Sequence, residues 1–295
     1  MYLPIIQQFN TYAKDNNLDI KINLNYISDL NSTVSVINYE ETLESLFRKE
    51  SDKYDIIFFD NIFTTRFGPY LLNLKGTILD KLIDIYKPGI ASKSCVYGED
   101  KWPMNVDFTV LYSNYDYLNK YNITAPKTWE ELIKTDIESG TCSLYEFIYT
   151  FRKSVDADYP EFPSKEAIDA LNMMKKIKNE LSLDYEFQCG DDYTFDRFMD
   201  GKYVFMKFWF FNLPYMKITP LPGVKEGISG SVIGGHNVGI NSFISPEHKE
   251  AAIKALEFIS SYDIQKQYVL SNGVLSGIPS IYDDEEIFGF YLLWD

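Results

Sequence analysis

The sequence predicts an α/β protein. Three observations carry this. Helical periods and strand-like runs alternate along the chain, one strand is apolar without interruption, and polar caps separate the elements. Residues 5–16 place Ile5, Phe9 and Tyr12 on one face of an amphipathic helix. Residues 18–26 alternate apolar and polar, the pattern of a half-buried strand. Asn38 caps a helix, with Glu41 three residues on and Leu43, Leu46 and Phe47 turned inward. Tyr54–Phe59, continuously apolar from Ile56 on, suits a parallel strand buried on both faces. It ends in Asp60-Asn61, at the carboxyl end of a strand, where ligands meet open α/β sheets. A loop and a short helix fill Leu71–Ile85.

A tight polar turn, Gly98 to Lys101, then leads into an apolar run that holds one carboxylate, Asp107. A Tyr/Asn-rich segment with Asp116 follows. Beyond Pro126, Thr128-Trp129-Glu130-Glu131 forms a capping box, in which Thr128 bonds the third helical N–H and Glu131 reaches back. The middle, roughly 140–200, reads as mostly helical. Ser164 caps a helix with a stripe of Ala167, Ile168, Leu171, Met174, Ile177 and Leu181. Another helix near Asp192–Asp200 stops at Gly201. A strand at Lys202–Phe208 runs into the aromatic cluster Trp209-Phe210-Phe211, and Gly227 to Gly239 is glycine-rich. Ser245-Pro246 starts a helix that buries Ala252, Ile253, Leu256 and Ile259.

The chain has 295 residues, enough for two α/β lobes or one large domain. Hydrophobic residues make up 45%, which excludes a disordered chain. The net charge of −15 argues against nucleic acid and anionic membrane surfaces as partners. No apolar run reaches the roughly 18–20 residues of a membrane helix, so no direct membrane insertion is expected, and Met1-Tyr2-Leu3-Pro4 does not open a signal peptide. With two histidines, His236 and His248, neither a His-based metal site nor a hydrolytic triad is expected, and no cofactor is implied. Cys95, Cys142 and Cys189 fit no zinc or redox motif. A Cys142–Cys189 bridge and three reduced thiols are both open. Two sequons, at Asn31 and Asn122, matter only in a eukaryotic secretory route.

Four segments, in order, resemble extracellular solute-binding proteins of the maltose-binding type. They are YDIIFFDNIFTTRFGPYLL at Tyr54–Leu72, the crossover with PKTWEELIK, FDRFMDGKYVFMKFWFFN at Phe195–Asn212, and ITPLPG, GGHNVGI and SPEHKEAAIKALEFISS within Ile218–Ser261. The resemblance implies the two-lobe periplasmic-binding-protein-like II fold. Each lobe is then a mostly parallel sheet flanked by helices, with a ligand cleft between lobes. Lobe one would comprise 1–107 and 228–281, lobe two 108–227, and a tail 282–295. It also implies a chain short at both ends, because the family's central first strand precedes its first helix and further helices close its second lobe. Hinges would lie near Asp107–Val110 and Pro222–Ser231.

By family position, Phe59, Asp60 and Asn61 line the cleft, with Arg66, Trp102 and Asp107 as further contacts. Tyr145 and Glu146 fall where the family places a second-lobe aromatic. Trp209 and Phe211 are the aromatic-wall candidates, and His236 and Asn237 follow Gly234-Gly235, glycines that let backbone approach a ligand. The chemistry suits sugars: aromatic rings bury the apolar C–H faces of a pyranose, and planar polar groups fix its orientation. The resemblance therefore implies a non-enzymatic binder of a small polar solute, most of all an oligosaccharide, outside the cell membrane or in the periplasm. Its partner would be a membrane transporter. One rival is the ligand-sensing ectodomain of a membrane receptor of the class C G-protein-coupled kind, with a transmembrane region as partner. Another is a carbohydrate-active enzyme, although no two acids sit in a recognisable catalytic arrangement.

Overall fold

The computed structural model describes residues 2–26, 39–77, 80–89, 96–97, 100–101, 107–134, 144–181, 183, 191–201, 203–211, 213 and 216–287. Met1–Val106 with Gly234–Phe290 forms one compact unit, and the second is built on Asp107–Ile233.

The first unit opens with α1 (Leu3–Asp15), whose Pro4 occupies the first turn, where no N–H is needed. Ile5, Ile6, Phe9 and Ala13 are buried. Residues 18–26 do not form the expected strand. They form no ladder among the described residues, and the Asn10 side chain takes both the amide and the carbonyl of Ile22, at 2.8 and 2.9 Å. A strand needs a neighbour for its backbone groups, and a side-chain amide supplies the bonds here instead. Next, α2 (Tyr39–Arg48) packs Leu43 and Phe47 inward. The apolar run becomes β1 (Ile56–Asp60). Ile57 and Phe59 pack with Leu43, Phe47 and Phe67, while Ile56 and Phe58 pack partly buried on the opposite cluster around Ile5, Val238 and Leu256. Asp60 then starts a 3-10 turn, followed by the short α3 (Thr64–Phe67). A Cβ on Gly68 would lie 2.2 Å from the Tyr97 ring, so only glycine fits there. The unit continues with α4 (Asp80–Tyr86) and the two-residue pair β2 (Val96–Tyr97) and β3 (Asp100–Lys101).

The second unit begins with β4 (Asp107–Asn114). The Asn114 side chain caps α5 (Tyr115–Tyr121), which ends at Asn122 with φ of 52°. At α6 (Trp129–Lys134) the cap is half as expected. Thr128 accepts the Glu131 amide at 3.2 Å, but Glu131 reaches back to the Lys127 amide, at 2.7 Å. Two helices follow, α7 (Leu144–Tyr149) and α8 (Lys165–Leu181). Ser164 caps α8 by accepting the Ala167 amide at 3.1 Å. The buried stripe of α8 is rotated from the expected one: Ala167, Ala170, Ile177 and Leu181 face inward, while Ile168 and Leu171 are exposed. Small alanines let the helix approach the core closely, which the larger residues prevent. Beyond α9 (Asp191–Asp200), the strands β5 (Phe205–Trp209) and β6 (Met216–Thr219) flank β4 in the order β5-β4-β6. Trp129, Leu132, Phe147, Phe151, Phe205 and Leu111 form the core beneath it.

The chain returns through β7 (Ile233–Gly234) and β8 (His236–Ile240), then α10 (Pro246–Ile259) and α11 (Tyr262–Asn272). Ser245 caps α10 as expected, accepting the His248 amide at 3.2 Å. Ala252, Ala255, Leu256 and Ile259 are buried on it. The α/β class holds, yet the described ladders β1–β8, β4–β5 and β4–β6 are antiparallel where mostly parallel pairing is expected. In each pair the second strand arrives after a long excursion of chain rather than through one crossover helix, so nothing enforces parallel pairing. Among the described residues, no helix is long and apolar enough to cross a membrane, and no group of His, Cys, Asp and Glu could hold a metal ion.

Candidate ligand-binding residues

In the first unit, the expected residues gather where β1 ends and β8 starts. Phe59 opposes Asn237 and Asp60 opposes His236 in the ladder. Phe59 is 3% exposed and packs edge-on against Phe67, so its ring belongs to the core. Asp60 is half-buried and accepts the Ile62 amide at 3.1 Å, fixing the turn. Asn61 donates its side-chain amide to the Gly234 carbonyl at 2.9 Å, and its backbone amide to Gly235 at 3.0 Å. Asn237 donates to the Thr64 hydroxyl at 2.7 Å, and that hydroxyl donates to the Asn61 carbonyl at 2.5 Å. The Asn237 side-chain oxygen is buried with no hydrogen-bond partner among the described residues. His236 is half-buried, edge-on to Tyr2 at 6.0 Å, and burial holds its pKa below the usual imidazole value despite Asp60 and Glu40. Arg66 is exposed, pairs with Glu44 and lies over the Phe63 ring, 5.9 Å from its centre. The Arg66 guanidinium holds the Glu44 carboxyl below the usual carboxylate range.

In the second unit, the expected residues gather where β4 starts and β5 ends. The Asp107 carboxylate accepts the Phe108 amide at 2.8 Å. Burial pushes its pKa up to about 6, opposed by the Phe108 and Phe210 amides. Phe108 and Phe210 stack at 5.8 Å, and the Phe210 amide donates to the Phe108 carbonyl at 2.9 Å. Trp209 is half-buried and opposes Thr109 in the ladder, two residues from Asp107. Phe211 is 44% exposed and stacks on Phe208 at 5.9 Å. The Tyr112 hydroxyl sits under this segment: it accepts the Phe211 amide at 2.5 Å and reaches the Trp209 and Phe211 carbonyls at 3.0 Å. That brace holds Trp209 and Phe211 in place at the strand end.

The two residues expected on α7 separate. Tyr145 is 69% exposed, with its ring 6.4 Å from Tyr159. Glu146 is 3% exposed, pairs with Lys207 and accepts the Thr109 hydroxyl at 2.6 Å. Trp102 lies outside the described residues, as do Cys95, Cys142 and Cys189. Sequence reasoning passed over Thr109, Tyr112, Lys207 and Ser231. Lys207 alone carried a signal, as the one charge in Tyr203–Phe211.

No protein-family model matches the chain. Its structural neighbours are maltose-binding and other sugar solute-binding proteins of ABC transporters, and it shares their two-lobe periplasmic-binding-protein-like fold. Maltose-bound MalE3 of T. maritima matches with a TM-score of 0.81 at 23% identity, over 99% of this chain and 82% of that one. The GacH receptor of Streptomyces glaucescens, solved unliganded and with acarbose, matches with a TM-score of 0.74 at 16% identity, over 97% and 79%. The maltose/maltodextrin-binding domain MalE of Bdellovibrio bacteriovorus, bound to maltotriose, matches at 0.72 and 15% identity, over 98% and 82%.

Proposed function

We propose that the chain is a non-enzymatic binding protein for a small polar solute, an oligosaccharide above all, and that it delivers this ligand to a membrane transporter from outside the membrane. The observation that carries the reading is the place where β4 starts and β5 ends. There a half-buried Trp209, an exposed Phe211 and the Asp107 carboxylate lie within a few residues of one another on paired strands. A ring covers an apolar sugar face at little entropic cost, and a carboxylate accepts the hydroxyls at its rim. The polar turn of Asp60, Asn61, His236 and Asn237 supplies the first unit's contacts, with the ligand drawing the units toward a closed state. The sugars named for the structural neighbours, maltose and maltotriose among them, agree with this chemistry.

A thermal-shift screen against maltotriose, chitotriose, monosaccharides, amino acids and polyamines tests it. A ligand at a hundredfold over its dissociation constant adds about 2.7 kcal/mol to native stability. One oligosaccharide class should raise the midpoint, and Trp209→Ala should abolish the rise. A rise with amino acids or polyamines and none with any sugar overturns the carbohydrate reading.

A further inference from the structure

The aromatic pair at the end of β5 is braced by one buried hydroxyl. Tyr112 stands on β4, is 0% exposed and opposes Met206 in the ladder. A β5 that ran on straight would carry Phe211 about 16 Å past that position, far beyond the reach of a tyrosine side chain. Yet the Tyr112 hydroxyl accepts the Phe211 amide at 2.5 Å and lies 3.0 Å from the carbonyls of Trp209 and Phe211. The backbone therefore bends back at the strand end, and the hydroxyl fills the bend. Its single proton serves one carbonyl at a time, while a lone pair takes the amide. The bend presents two rings that burial alone does not fix: Trp209 is half-buried and Phe211 is exposed.

We propose that Tyr112 is a positioning residue of the sugar site: its hydroxyl, rather than its ring, sets the backbone of Trp209–Phe211 so that both rings stand ready to stack before a ligand arrives. This rests on the sugar reading above. Order already present in the free protein costs nothing when the ligand binds, so the hydroxyl raises affinity without making a contact. Being fully buried, Tyr112 touches no ligand itself. It acts through the two residues whose backbone it holds.

Fluorine resonances of the chain labelled with 5-fluorotryptophan test the brace without ligand. Among the four tryptophans, Trp209→Phe identifies the signal of Trp209. Tyr112→Phe keeps the ring and removes the hydroxyl. It should shift or broaden the Trp209 signal and leave that of Trp129, which lies in the core of the same unit. No change at Trp209, or equal change at both, overturns the proposal. Calorimetric titration of maltotriose tests the consequence: Tyr112→Phe should bind about fivefold or more weakly than the wild type. Thr150→Val is the control. It removes another buried hydroxyl of the second unit, one that accepts the Trp129 indole N–H at 2.8 Å and donates to the Phe147 carbonyl at 2.6 Å, and it should bind as the wild type does. Equal weakening in both variants would make the loss one of general stability and overturns the proposal, as does unchanged binding in Tyr112→Phe. Should Tyr112→Phe fail to fold, amide exchange in the wild type decides. The Phe211 amide should exchange about tenfold or more slowly than an unbonded peptide amide, and exchange at the unbonded rate removes the brace. A wild type that binds no sugar counts against the sugar reading, and the fluorine and exchange measurements still decide on the brace.

Discussion

Where β1 ends and β8 starts, the first unit holds its buried turn with neutral groups, two asparagine side chains, a threonine hydroxyl and glycine carbonyls, beside one half-buried carboxylate, Asp60. Where β4 starts and β5 ends, the second unit uses charge: a buried Glu146–Lys207 pair and the raised carboxyl of Asp107. The difference has energetic consequences. Losing one neutral bond strands a single polar group, whereas losing one partner of a buried ion pair strands a charge. The first unit should therefore tolerate single substitutions in graded fashion, and the second should fail abruptly or respond to pH.

The largest effect should come from Lys207→Met, which leaves Glu146 charged and buried. It should cost about 3–5 kcal/mol in urea unfolding, with much of the loss recovered in the double variant Lys207→Met/Glu146→Gln. No recovery would mean that packing, not charge, dominates there. Asn61→Ala in the first unit should cost less, about 1–3 kcal/mol by the same measurement, because the Gly234 carbonyl loses one neutral donor. A loss as large as that for Lys207→Met would erase the contrast between the units.

The smallest effect is at Asp107 and has a definite sign. Its carboxyl is pushed up to about 6, so folding favours the protonated form. That stability is present in full below about pH 4 and is lost as the pH rises through 6. Asp107→Asn stays neutral, so it should match the wild type below about pH 4 and exceed it at pH 8. The gain should be about 1–2 kcal/mol, discounted for the partial exposure of the carboxyl. Melting curves between these limits check it, and a variant less stable at pH 8 would show that the ionised carboxylate is stabilised by its amide donors.

Local signals were legible in the sequence. Ser164, Ser245-Pro246 and Thr128 each mark a real helix start, because a cap needs only residues a few positions apart. What depends on distant partners was not. The alternation at 18–26 says that a strand is suitable, not that a neighbour is present to pair with it. The stripe on α8 favours Ile168 and Leu171 by hydrophobicity, yet close packing selects Ala167 and Ala170. In the candidate site, Glu146 stood out by position, but its partners Lys207, Thr109 and Val232 come from distant stretches of sequence, which no spacing rule connects.

The most direct test of the account is calorimetric titration of maltotriose into the wild-type chain, Trp209→Ala and Asp107→Ala. Saturable one-to-one binding to the wild type is expected, weakened about tenfold or more in each variant. Binding of equal strength in all three would contradict the assignment of the sugar contacts to the start of β4 and the end of β5.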